Sequence, residues 1–261
     1  MVSPAAQAGA VYAVKTLHMA QNMLDLLLMW TAKEPNRVAV RHKVRGQWRD
    51  ATWSEVTERV RRIALGLAEL GVEPGDRVAI FSSTRYEWTL ANLALYARGA
   101  AAVPIYASNT PAEVEYILRD SGSMAIFLDH DDPEGRQPGR YQRLKQVRER
   151  LPTLKHVIGF DLASRPEEGL VSFSDLEARG AALVGAHPSA LEERAGLTKW
   201  DDLAFILYTS GTTGVPKGVM LTQGNWTSHA RAVVDIELVV HDDVVLLFLP
   251  LAHSFAQVAI S

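Results

Sequence analysis

The chain has 261 residues, 48% of them hydrophobic and 22% charged, with a formal net charge of -3 and no cysteine. That is enough chain for one large or two smaller buried cores, and it carries no basic field of the kind that nucleic-acid phosphates require. The missing cysteines exclude disulfides, thiolate metal sites and thiol nucleophiles, in keeping with a cytoplasmic setting. The first eighteen residues lack the charged start and apolar run of a secretory signal, and no stretch approaches the ~18 apolar residues of a membrane span.

Residues 22–32 read as a short helix with Asn22 as its cap and Pro35 as its stop. Residues 37–42 and 47–52 read as two strands joined through Gly46, and Thr52 and Glu55 have capping-box spacing for a helix that Gly71 ends. Val56, Val60, Ile63, Leu67 and Leu70 share one face of that helix. A repeating unit follows: a strand at 75–81, Thr84 and Glu87 spaced to cap a helix closed by Gly99, and a strand ending at Tyr106. Thr110, Pro111 and Glu113 open the next helix, Gly122 follows it, and a strand runs over 124–129. Strands and helices alternating at this spacing predict an α/β fold with a parallel sheet covered on both faces.

The polar run 129–139 reads as a surface loop. Asp129, His130, Asp131 and Asp132 point in different directions on an extended chain, so none is assigned to a metal. Arg143, Lys145, Arg148 and Arg150 read as the solvated face of a helix rather than as a nucleic-acid contact. Residues 154–160 are a predicted strand, 161–198 mixed helix and loop, and Asp201 and Asp202 a solvated turn.

The most informative stretch is 204–218, AFILYTSGTTGVPKG. An apolar run suited to a buried strand gives way to Thr209, Ser210, Gly211, Thr212, Thr213 and Gly214, followed by Pro216 and Lys217. Such a loop offers many amides and hydroxyls and little bulk, so it can surround phosphate oxygens while Lys217 adds a point charge. A flexible linker needs neither the strand before it nor the proline and lysine after it. The pattern GxxxxGK[ST] fails, because Lys217 follows Pro216 and precedes Gly218.

Residues 219–221 read as a short strand, 222–234 as a helix capped by Thr222 or Asn225, and 244–252 as a buried strand that delivers His253 and Ser254 where the chain leaves the sheet. Carboxyl ends of parallel strands are where ligands bind. Taken alone, His253 reads more readily as a packed or helix-starting histidine.

YTSGTTGVPKG (208–218) resembles the phosphate-loop signature of the adenylate-forming (AMP-binding) superfamily: acyl-CoA synthetases, firefly-luciferase-like enzymes and peptide-synthetase adenylation domains. The resemblance extends over 38–261, and RYEW (85–88), VPIY (103–106) and LPLAHSF (249–255) look most like the long-chain fatty-acyl-CoA synthetase branch. It implies that a fatty acid or other carboxylic acid, ATP and CoA are substrates, with Mg²⁺ sharing the phosphate charge. Thr209, Ser210, Gly211, Thr212, Thr213, Gly214 and Lys217 would then bind the nucleotide, and Lys217 and His253 would be the catalytic pair. An apolar acyl tunnel near His229 and Phe255 belongs to the same expectation, and peripheral membrane contact is compatible with it.

The family's later adenine, ribose and metal-binding segments and its C-terminal lid would all fall after Ser261. The expectation is therefore an N-terminal piece with a lead (1–36), a first α/β subdomain (37–200) and the start of a second (201–261), the lid absent. The alternatives are an inactive nucleotide-binding or scaffold fragment, and an adenylation domain for an amino or aryl acid.

Overall fold

The computed structural model describes residues 20–129, 139–209, 215–238 and 241–253. Helix α1 (Met23–Lys33) begins where expected: the Asn22 side chain accepts the Asp25 amide at 3.0 Å and the Asp25 carboxylate accepts the Asn22 amide at 3.2 Å. Strands β1 (Val38–Val44) and β2 (Gln47–Thr52) pair antiparallel as a separate hairpin in which Val44 faces Gln47. The two residues between them, Arg45 (φ 49°) and Gly46 (φ 80°), both have the positive φ that a type I′ turn requires. Thr52 and Glu55 form the expected box at the start of helix α2 (Trp53–Glu69), whose Val56, Val60, Ile63 and Leu67 are buried.

The chain then lays down β3 (Arg77–Phe81), α3 (Tyr86–Arg98), β4 (Ala101–Ile105), α4 (Pro111–Ser121), β5 (Ala125–Leu128), α5 (Arg140–Lys145), β6 (His156–Gly159), β7 (Leu170–Ser172), α6 (Phe173–Leu183) and α7 (Ala190–Leu197). It closes with β8 (Leu203–Thr209), β9 (Lys217–Thr222) and α8 (Gln223–Asp235). Seven strands make one sheet in the order β7-β6-β5-β3-β4-β8-β9, parallel throughout except for the antiparallel pair β8–β9. The fold is α/β, as the alternation of elements predicts.

Strand residues feed two cores in turn. Val78, Ile80, Ala125 and Phe127 join α2, α3 and α6 on one face, while Ala79, Phe81, Ile126 and Leu128 join Val114, Ile117 and Leu118 of α4 on the other. Burial on both faces is why these strands read as unbroken apolar runs. Phe81, Phe127 and Phe205 are fully buried, each side chain contributing about 1.5–3 kcal/mol of transfer free energy.

The structure corrects five expectations. Strand β7, only Leu170–Ser172, is too short to carry a periodic signal and lies in the stretch read as mixed helix and loop. Thr84 and Glu87 do not cap α3: Arg85 holds the cap position without a side-chain bond, because both residues are engaged elsewhere. Arg143 is not solvated but 4% exposed, its guanidinium donating to the carbonyls of Ala107 and Asn109 at 2.9 and 2.7 Å. Strand β9 starts at Lys217, two residues before the expected strand, because the ladder with β8 extends to that end. Residues 244–249 form no strand, since no described strand lies beside them. Val244, Leu246 and Phe248 are 81%, 73% and 75% exposed, while Leu247 and Leu249 pack partly against the core.

Candidate active site

Strands β3, β4 and β8 run parallel, so the residues that follow them emerge along one edge of the sheet. Strand β4 lies next to β3 on one side and β5 lies next to it on the other, which puts a topological switch point at the carboxyl ends of β3 and β5. That position is filled by protein. The Asp129 carboxylate accepts from Arg140 at 2.6 Å, from the Ser82 hydroxyl at 3.0 Å and from the Ser83 amide at 3.1 Å, and Asp129 and Arg140 are both 5% exposed. Asp129 thus ties Ser82 and Ser83, which follow β3, to Arg140 at the start of α5. His130, Asp131 and Asp132 lie outside the described residues.

At β8 and β9 the end residues of this edge are exposed. Thr209 closes β8, Lys217 opens β9, and the two face each other as the last pair of the antiparallel ladder. The hydroxyl-rich segment between them therefore starts and ends at adjacent points. Ser210, Gly211, Thr212, Thr213 and Gly214 lie outside the described residues, as do Ser254 and Phe255. Lys217 and Thr209 are exposed at the mouth of the hairpin.

His253 arrives by another route. Leu251 and Ala252 are buried, His253 is exposed, and its amide donates to the Pro250 carbonyl at 2.9 Å to close a turn. The segment is pinned to the end of β3 by Thr84, whose hydroxyl donates to Leu249 O at 2.7 Å and accepts from Leu251 N at 3.2 Å. Thr84 lies just beyond β3 and Thr209 ends β8, with β4 between them, so the lysine and the histidine belong to one edge of the sheet. Spacing had offered Thr84 as a helix cap, and nothing local distinguishes the two roles. His229, expected near an acyl tunnel, is exposed on α8 and stacks on Trp226 at 6.3 Å.

Arg85, beside Thr84, donates to Asp161 at 2.5 and 3.0 Å and to Glu87 at 2.8 Å. Burial alone would lower its pKa, but the bonds to Asp161 and Glu87 outweigh it and the guanidinium is held above its ordinary value. Burial likewise pushes the Glu87 carboxyl up, and the Arg85 bond and charge bring it below the usual range. Among the described residues, no group of three or more His, Cys, Asp or Glu stands where it could hold a metal. No helix among them is long and apolar enough to cross a membrane.

Among known protein families, the model described as AMP-binding enzyme matches residues 28–261. The chain belongs to that family. It is 33% identical over 238 residues to the long-chain-fatty-acid–CoA ligase FadD15 of Mycobacterium bovis, covering 90% of this chain and 37% of the ligase. Among solved structures, the inhibitor-bound N-terminal domain of FACL13 from Mycobacterium tuberculosis is similar with a TM-score of 0.69 at 27% identity, over 92% of this chain and 54% of that one. The anthranilate CoA ligase AuaEII, solved with anthranoyl-AMP, is similar with a TM-score of 0.67 at 25% identity, over 84% of this chain and 38% of that one. The chain thus spans well under half the length of the curated ligase it matches.

Proposed function

We propose that this chain supplies the nucleotide-gripping part of a ligase that activates long-chain fatty acids. The observation that carries the reading is the Thr209–Lys217 pair, which closes a hydroxyl-rich hairpin at the carboxyl edge of a parallel sheet. The similarity to a long-chain ligase supports the choice of acid.

In the proposed reaction a fatty carboxylate oxygen attacks the α-phosphorus of ATP. The new O–P bond forms as the bond to the bridging oxygen breaks, and pyrophosphate departs with that electron pair. The CoA sulfur then bonds the acyl carbon, AMP leaves on its phosphate oxygen, and the thiol proton passes to water. A carboxylate is a weak nucleophile, so the protein's share is positioning and charge neutralisation. Thr209, Ser210, Gly211, Thr212, Thr213 and Gly214 hold the β- and γ-phosphates, Lys217 faces the departing pyrophosphate, and His253 orients the carboxylate by a hydrogen bond. Any Mg²⁺ would supply further phosphate charge neutralisation.

Thermal shift with ATP, followed by ATP–pyrophosphate exchange with palmitate, benzoate and amino acids, tests the reading. ATP at a hundred times its Kd should stabilise the chain by about 2.7 kcal/mol. Lys217→Ala should weaken ATP about tenfold, or about 1.4 kcal/mol. No stabilisation of the wild-type chain by ATP rejects the reading, and a response to benzoate or an amino acid in place of palmitate reassigns the acid.

A further inference from the structure

The two neighbours of β8 hold it unequally. Toward β9 the ladder runs from Leu203–Thr222 to Thr209–Lys217. Toward β4 the register among the described residues is the pair Ala102–Phe205, and two residues further along β4 stands Pro104, which has no N–H to give to either neighbour. The carboxyl half of β8, the half that leads to Thr209, therefore lacks the backbone tether that a central parallel strand ordinarily has.

Side chains from α4 take its place. Tyr208, on β8, donates its hydroxyl to Asp120 Oδ2 at 2.6 Å, and Tyr116 donates to the Pro216 carbonyl, one residue before Lys217, at 2.9 Å. The two rings meet edge to face at 6.2 Å and 85°. Tyr116 and Asp120 are four apart on α4 and so share a face of it. One helix thus grips both stems of the hairpin.

Gly218, opposite Tyr208 in the ladder, completes the fit. A Cβ there would stand 2.8 Å from Ile206 Cγ2 and 3.2 Å from Tyr208 Cζ, so the ring occupies the space that any larger residue would need. Burial, and next to it the Asp120 carboxylate, push the Tyr208 hydroxyl well above the ordinary phenol range, which keeps it a donor.

We propose that Tyr116, Asp120 and Tyr208 are positioning residues that fix where Thr209 and Lys217 stand at the mouth of the hairpin. The inference rests on the proposed function for its purpose, since these residues act through Lys217 on a triphosphate. Tyr116→Phe removes one bond without changing the packed ring.

The experiment compares wild type, Tyr116→Phe, Asp120→Asn and Lys217→Ala by amide hydrogen exchange and by calorimetric titration with ATP and inorganic pyrophosphate. Tyr116→Phe should speed exchange at Lys217, Gly218 and Val219 about tenfold, leave exchange in α2 and β5 unchanged, and weaken ATP about fivefold. In a double-mutant cycle with Lys217→Ala that loss should largely vanish, because the tyrosine acts through the lysine. Unchanged exchange at the hairpin stem, or acceleration spread equally over the whole sheet, overturns the inference whatever the nucleotide does. A wild-type chain that binds no ATP overturns the proposed function instead, and the exchange data still decide whether the tyrosine holds the stem.

Discussion

The hydroxyl of Thr84 accepts the Leu251 amide at 3.2 Å, across 167 residues of chain. Its own proton goes to Leu249 O at 2.7 Å, so one side chain satisfies two backbone groups on either side of Pro250, and His253 follows in the same turn. Thr84→Val keeps the shape and removes both bonds, leaving a carbonyl and an amide to find new partners. The expected cost is about 1–3 kcal/mol, confined to the segment, with faster proteolysis at 244–253 and faster exchange of the Leu251 amide. Thr84→Ser should restore most of the protection. Equal protection in the valine variant would mean that core contacts of Leu251 alone hold the turn.

The Arg85–Glu87 pair gives a pH dependence with a definite sign. Glu87 sits below its unfolded value, so between the two values the unfolded chain carries the extra proton and stability falls as pH falls. The contribution is whole above about 4.3, the ordinary glutamate value, and is lost as pH drops through the lower folded value. Glu87→Gln should therefore flatten the acid limb of a Tm-against-pH curve below about pH 5 while leaving the slope near neutrality unchanged. An acid limb of wild-type steepness in that variant would assign the loss to other carboxylates.

Close helix packing predicts a larger effect elsewhere. A Cβ on Gly180 of α6 would lie 1.7 Å from the Arg62 carbonyl oxygen and 2.7 Å from the Gly66 nitrogen on α2. Backbone cannot yield as a side-chain tip does, so Gly180→Ala should cost about 3 kcal/mol or more, above the usual range for a well-packed site. In a domain of this size each kcal/mol lowers Tm by about 2–4 °C. Urea denaturation of the variant measures it, and a loss under about 1 kcal/mol would show that the two helices separate freely.

What the sequence makes legible is local chemistry. Thr52 with Glu55 and Thr110 with Glu113 cap their helices as their spacing predicts, and the β8 run reads directly as a buried strand. Thr84 with Glu87 has the same spacing and a different fate, because a carbonyl 165 residues away competes for the hydroxyl. Tyr116 and Asp120 look like ordinary residues on a helix until Tyr208 and Pro216 come to meet them. Strand β7 and the fate of 244–249 depend on which strand lies alongside, and that information is not local.

The segment 244–251 lies outside the sheet, and its exposed and buried side chains make opposite predictions. Leu246 and Phe248 are 73% and 75% exposed, whereas Leu251, with Leu247 and Leu249, packs against the core and is 1% exposed. Leu246→Ala and Phe248→Ala remove nothing from the packed interior, so each should stay within about 0.5 kcal/mol of wild type. Leu251→Ala deletes buried methyl groups beside the Thr84 tether and should cost about 2–4 kcal/mol. Chemical denaturation of the three variants distinguishes the two sets, and equal losses at Phe248 and Leu251 would show that the exposed side chains are packed in solution.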